Sequence, residues 1–283
     1  MTLSELDREV LFAAVRRLEQ QSFVSRIAAL AGRPVGLVSR ALPAPASALV
    51  ARATALALDR ALDIALFSLR ARPRTVSRTR GRVLHSVLAC ASGGIGGAFG
   101  LTGLAIELPV STAIMLRAIA AIAQREGEDL ADPRAGLACL EVFALGATAA
   151  GGDAPENDYF VIRDRLAPRV VEVTDFAVDK TAVRKSAPVI VRFVAQIAAR
   201  FGIVVSEKAA AQAIAVVGAA GGAAVNLAFI EHFQDLAHGH FTVRRLERVY
   251  GSDPVRAEYG RVKAEIAAVK SNSRIPAFTA AGE

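Results

Sequence analysis

AAAQAIAVVGAAGGAAVNLAFIEHFQDLAHGHFTVRRLER, residues 209–248, decides the fold. Its first 22 residues, 209–230, carry no formal charge and are built from alanine, glycine and aliphatic side chains. The run then passes into Glu231, His232, Asp235, His238, His240, Arg244 and Arg245, a segment that holds three of the four histidines in the chain. An earlier stretch, 83–106, has the same build: 24 residues free of Asp, Glu, Lys and Arg, with His85 as the one potential cation. It contains Gly93, Gly94, Gly96, Gly97, Gly100 and Gly103. Each glycine costs an exposed helix roughly 0.8–1 kcal/mol relative to alanine, so a helix with six must be covered by neighbours or by lipid. Gly93, Gly96, Gly97 and Gly100 in the first run, with Gly218 and Gly222 in the second, fall at spacings that let helix backbones touch. The expectation is an all-α, multi-helix bundle with two long glycine/alanine-rich central helices.

No convincing period-2 alternation appears outside these runs, and helix punctuation recurs instead. Ser4 with Asp7 three residues on reads as a helix start, and the pattern Leu6, Val10, Leu11, Ala14, Leu18 follows it. Gly32, Pro34, Pro43 and Pro45 interrupt, and a long alanine-rich helix covers 47–69. Pro109 is expected to end the first glycine-rich helix and Ser111 or Thr112 to start another, running to Gly127. Asp132-Pro133 and Asp253-Pro254 each pair a cap with a proline at the first helical position. Pro168 is read as a break, Phe201-Gly202 as the end of a helix opened by Pro188, and Gly239 as the C′ glycine of the long second run. Residues 1–80 are expected to form an N-terminal helical extension, 81–270 one helical domain, and 271–283 a frayed tail.

Composition narrows the partners. With its glycines the apolar share is about 60%, above the 45–50% or so usual for soluble domains. Tryptophan is absent and aromatics make up 6%, so small and aliphatic side chains are expected to fill the core. The net charge is +7, with one dense cluster of six arginines in positions 70–82. A basic balance raises nucleic acid or an anionic membrane surface as partners. No nucleic-acid module is present and no aromatics interleave with the arginines, so nucleic acid is set aside. Cys90 and Cys139 lie in apolar helical patterns without a CxxC spacing, as buried reduced thiols would. The acidic N-terminus has no apolar secretory core. GxSxG, P-loop and dinucleotide fingerprints are all missing.

Three long phrases carry a resemblance to a known family: GGIGGAFGLTGLAIELPVSTAIMLRAIAAIA (93–123), GEDLADPRAGLACLEVFALG (127–146), and RFGIVVSEKAAAQAIAVVGAAGGAAVNLAFIEHFQDLAHGHFTVRRLERVYG (200–251). Over roughly residues 80–260 the sequence resembles the EcsC family of bacterial proteins. The resemblance implies a link to transport or secretion across the inner membrane, with no settled activity.

Two constellations could carry chemistry. Glu231, Asp235 and His238 fall at i, i+4 and i+7 of a helix, with His232 beside them and His240 just beyond. Those five residues are the candidate divalent-metal ligands, which would make the chain a metal-dependent hydrolase. The spacing matches neither HExxH nor Glu-x-x-His, and the plainer reading is a set of helix-end hydrogen-bonding side chains near Arg244 and Arg245. The second constellation is Glu107, Glu141 and Glu231, three carboxylates in apolar settings. Each must be paired to be buried, and Arg117 and Arg244 are the candidate partners; the alternative is that the three converge and share a metal or a proton.

The uncharged runs 83–106 and 209–230 both meet the roughly 20-residue requirement for crossing hydrocarbon. Both are made of alanine and glycine more than leucine and phenylalanine, so peripheral docking or partial entry is favoured. A fully soluble bundle with these runs as core helices comes close behind, and a true span is third. The best-supported role is a non-enzymatic, membrane-associated accessory protein. It would be cytoplasmic and peripheral to, or partly inserted in, the inner membrane. Its partners would be the membrane surface, an inner-membrane protein or a second copy. A glycine-zipper pore is the further alternative.

Overall fold

The computed structural model describes residues 2–19, 23–31, 44–65, 104–147, 158–179, 187–214 and 218–272. Among them every regular element is helical. The helices are α1 (Glu5–Leu18), α2 (Phe23–Ala31), α3 (Ala44–Asp63), α4 (Leu104–Arg125), α5 (Pro133–Leu145), α6 (Tyr159–Asp179), α7 (Pro188–Ile214), α8 (Gly218–Tyr250) and α9 (Ser252–Asn272). The all-α, multi-helix expectation holds. Two compact units form: Met1–Gln20 with His238–Glu283, and Gln21–Ala237.

Local rules explain several ends. The Ser4 hydroxyl accepts the Asp7 amide at 3.1 Å and caps α1. The Asp132 carboxylate accepts the Arg134 amide at 2.8 Å, with Pro133 at the first position of α5. α4 ends with Gly127 at φ +85°, where the left-handed region favours glycine.

Four expected breaks are not breaks. α4 runs through Pro109, its sixth described residue. α6 runs through Pro168, and α7 runs unbroken through Gly202, where an added Cβ would meet open space. α8 continues past Gly239 to Tyr250, and the C′ glycine is Gly251, at φ +87°, whose amide bonds the Glu247 carbonyl at 2.9 Å. Gly239 serves packing instead: a Cβ there would lie 2.6 Å from Leu18 Cγ and 3.0 Å from the Ala14 carbonyl oxygen. The 209–230 run is not one described helix, because α7 ends at Ile214 and α8 begins at Gly218. The run 83–103, with Gly93, Gly96, Gly97 and Gly100, and the tail beyond 272 lie outside the described residues.

In the unit Gln21–Ala237, α7 packs against α2, α3, α5 and α6, while α4 lies along α3. Its centre is aromatic, contrary to the expectation of a purely small and aliphatic core. Phe143 of α5, Phe201 of α7, and Phe229 and Phe233 of α8 form a ring cluster with centroids 4.9–6.1 Å apart. Phe23 of α2 meets Phe229 edge-on at 5.5 Å. Aromatic pairs of this geometry add about 0.5–1.5 kcal/mol each beyond the area they bury. Few aromatics suffice because they converge on one place. In the other unit α1 packs on α9. Arg8 donates to buried Glu258 at 2.7 Å, and Tyr259 donates its hydroxyl to Glu19 at 2.9 Å.

Candidate functional site

Beside the aromatic cluster lies a buried charge site. Lys208 of α7 is fully buried, and its ammonium donates to both Glu107 oxygens, at 2.8 and 3.0 Å, and to Asn226 Oδ1 at 2.8 Å. The same nitrogen stands 4.4 Å from the Phe229 ring centroid. Three donors thus meet three acceptors, and an aromatic face closes the remaining side. The site joins α4, α7 and α8. Burial pulls the Lys208 pKa below its ordinary value, and the Glu107 charge opposes that pull. Such a pair ties helix register more than it adds net stability.

Glu107 is therefore buried and paired as the sequence suggested, but with Lys208; Arg117 is exposed. Glu141 is buried on α5. Glu231 is exposed, because residue 231 falls on the outer side of α8 while Ile230 and His232 turn inward. Arg244 is half-buried. Nothing in residue type marked Lys208 out, although a lone lysine between Val205 and the alanines 209–211 was the available signal.

The proposed metal ligands have other occupations. His232 is buried against Phe23 and Phe233, and its Nε2 lies 3.3 Å from the Gly146 carbonyl. A carbonyl only accepts, so the neutral ring carries its proton on that nitrogen. Desolvation lowers the His232 pKa to about 4, against the opposing pull of the Gly146 carbonyl. Asp235 takes an ion pair from Arg26 at 2.9 Å. His238 is half-buried, and His240 is buried with its ring 4.9 Å from Phe241. Among the described residues no three His, Cys, Asp or Glu side chains gather about a common point as metal ligands would. His232 instead reaches the end of another helix.

That end is the C-terminus of α5. Arg200 of α7 donates to the Ala144 carbonyl through Nε and to the Ala147 carbonyl through Nη2, both at 2.7 Å. With His232 on the Gly146 carbonyl, the Ala144, Gly146 and Ala147 carbonyls at and just past the end of α5 meet side chains from two other helices. The Arg200 charge also faces the negative end of the helix dipole. Gly146 is small for a reason: a Cβ there would lie 2.7 Å from the Phe233 ring.

The other face of α7 is different. Val191 is 52% exposed and Ile203 41%, with Ala195 and Ala199 exposed between them on the same side. Residues Pro188–Gln212 are long and apolar enough to cross a membrane, with mean hydropathy 1.8, yet an 18-residue stretch of them is only 33% buried. The second such stretch, Glu107–Arg125, has mean hydropathy 1.2 and is 61% buried, as a core helix would be. Among the described residues these two, rather than 209–230, pass the length and composition test.

An all-helical core locked by a buried lysine–carboxylate pair, with an apolar helix face left outward, defines the class of protein. The EcsC protein family matches residues 19–246, and the chain belongs to that family. The match starts well before residue 80, takes in α2 and α3, and stops within α8, so α9 lies beyond it. No curated protein and no solved structure matches the chain.

Proposed function

We propose that this chain is a membrane-associated accessory protein that docks peripherally on the bacterial inner membrane, in a setting of transport or secretion, and has no reaction of its own. The observation that carries the reading is α7, where an 18-residue apolar stretch within Pro188–Gln212 is only 33% buried. A soluble core helix of that hydropathy would be covered, whereas an exposed apolar surface marks an interaction site. The basic balance of +7 suits an anionic surface.

Fractionation of the natively expressed protein tests this. The protein is expected in the membrane pellet and is released by high-salt or carbonate washing. Recovery in the soluble fraction before any wash sinks the reading. Retention through carbonate replaces docking with true insertion.

A further inference from the structure

We infer that the outward face of α7 is the membrane-contacting surface, with the helix lying in the plane of an anionic bilayer. This rests on the membrane reading above and assigns its contact face.

Geometry and charge select that occupant. Val191, Ala195, Ala199 and Ile203 recur every fourth residue along one side of α7, and all four are exposed. The opposite side holds Phe193, Ile197, Phe201, Val204 and Lys208 in the core. Exposed Arg192 sits on the outer side near the start of the helix, and an arginine stem can lie along apolar surface while its guanidinium reaches phosphate. In sequence, residues 180–206 carry Lys180, Arg184, Lys185 and Arg192 and no acid, besides Arg200, whose guanidinium is held by the α5 carbonyls. A positive segment with an apolar face is what an anionic lipid surface attracts.

The neighbouring helix rules out a span. α6 packs against α7 and exposes Asp164, Arg165, Glu172 and Asp175. Were α7 to cross the hydrocarbon, α6 would carry those charges in with it, and charges facing lipid are strongly disfavoured. Lying flat, α7 presents its apolar side to the acyl boundary and keeps α6 in water.

The chain has no tryptophan, so one introduced residue is a clean reporter. Ala195→Trp and Ala199→Trp on the outer face of α7 are compared with Ala167→Trp, at an exposed position of α6. Vesicles of phosphatidylglycerol and phosphatidylcholine are added to each full-length variant. The expected result is a blue shift and protection from aqueous quencher for positions 195 and 199 and no change for 167. Ile203→Glu is expected to lower vesicle partitioning at least about tenfold, as loss of one buried aliphatic side chain predicts. Its melting temperature should stay near wild type because the site is exposed. Vesicle co-sedimentation without a shift at 195 or 199 overturns this face while leaving membrane association standing. No co-sedimentation of any variant overturns both. A shift at 195 that tracks protein concentration without vesicles assigns the face to a second copy and overturns the proposal.

Discussion

Lys208 is the residue whose removal should cost most. Lys208→Met leaves the Glu107 carboxylate buried at its site with its cation gone, a situation that costs about 3–5 kcal/mol. The double variant Lys208→Met with Glu107→Leu removes both charges and should recover most of that loss in denaturant titration. If the single and double variants were equally unstable, packing rather than charge would govern the site. Glu207, its neighbour, behaves oppositely. Desolvation raises the Glu207 pKa from 4.5 to about 7. The folded chain therefore keeps a proton that the unfolded chain has released, and stability falls as pH rises from 4.5 to 7. His232, lowered from 6.5 to about 4, acts in the other sense, and stability is lost as pH falls from 6.5 to 4. The two slopes oppose each other between pH 4.5 and 6.5. Glu207→Gln should raise the melting temperature by a few degrees at pH 8, roughly 2–4 °C per kcal/mol. It should also unmask the acid-side fall due to His232. A melting profile unchanged by the substitution at every pH would reject this account.

Among elements, α8 and α5 show how side chains finish what backbones start. α5 ends at Leu145, and the carbonyls of Ala144, Gly146 and Ala147 are met by Arg200 and His232 from helices distant in sequence. Arg200→Ala removes two charge-assisted hydrogen bonds from the Ala144 and Ala147 carbonyls. The expected destabilisation is about 2–4 kcal/mol, measured by urea unfolding. Gly239 lies where α8 meets α1, within 3 Å of Leu18 and the Ala14 carbonyl oxygen for an added Cβ. Gly239→Leu should push α1 away and cost about 1–3 kcal/mol, with faster amide exchange in Glu5–Leu18. Wild-type exchange in α1 would show that this contact is dispensable.

For the whole molecule, charge and apolar area act together, and salt separates them. Screening shortens from about 10 Å at 0.1 M to about 3 Å at 1 M salt. With a net charge of +7, binding to anionic vesicles should weaken several-fold across that range. Binding that is indifferent to salt would mean the apolar face of α7 acts without electrostatic help. The family match over residues 19–246 covers that helix and the Lys208 site, while α9 with its Glu258 and Tyr259 contacts to α1 lies outside it.

Periodicity and caps determined the helical class, the starts at Ser4 and Asp132, and the burial of Glu107, because these depend on residues a turn apart or on the cost of a lone buried charge. Family membership, too, was legible in long collinear phrases. Which helices stop was less so. Pro109, Pro168, Gly202 and Gly239 all lie inside longer helices; Gly239 sits in close contact with Leu18 of α1, whereas Gly202 faces open space and Pro168 is exposed. The partner of Glu107 was decided by a contact 101 residues away in sequence, which no local pattern encodes. The same holds for His232 and Asp235: one helix turn brings them close on α8, but the Gly146 carbonyl and Arg26, placed by the fold, determine what each side chain does.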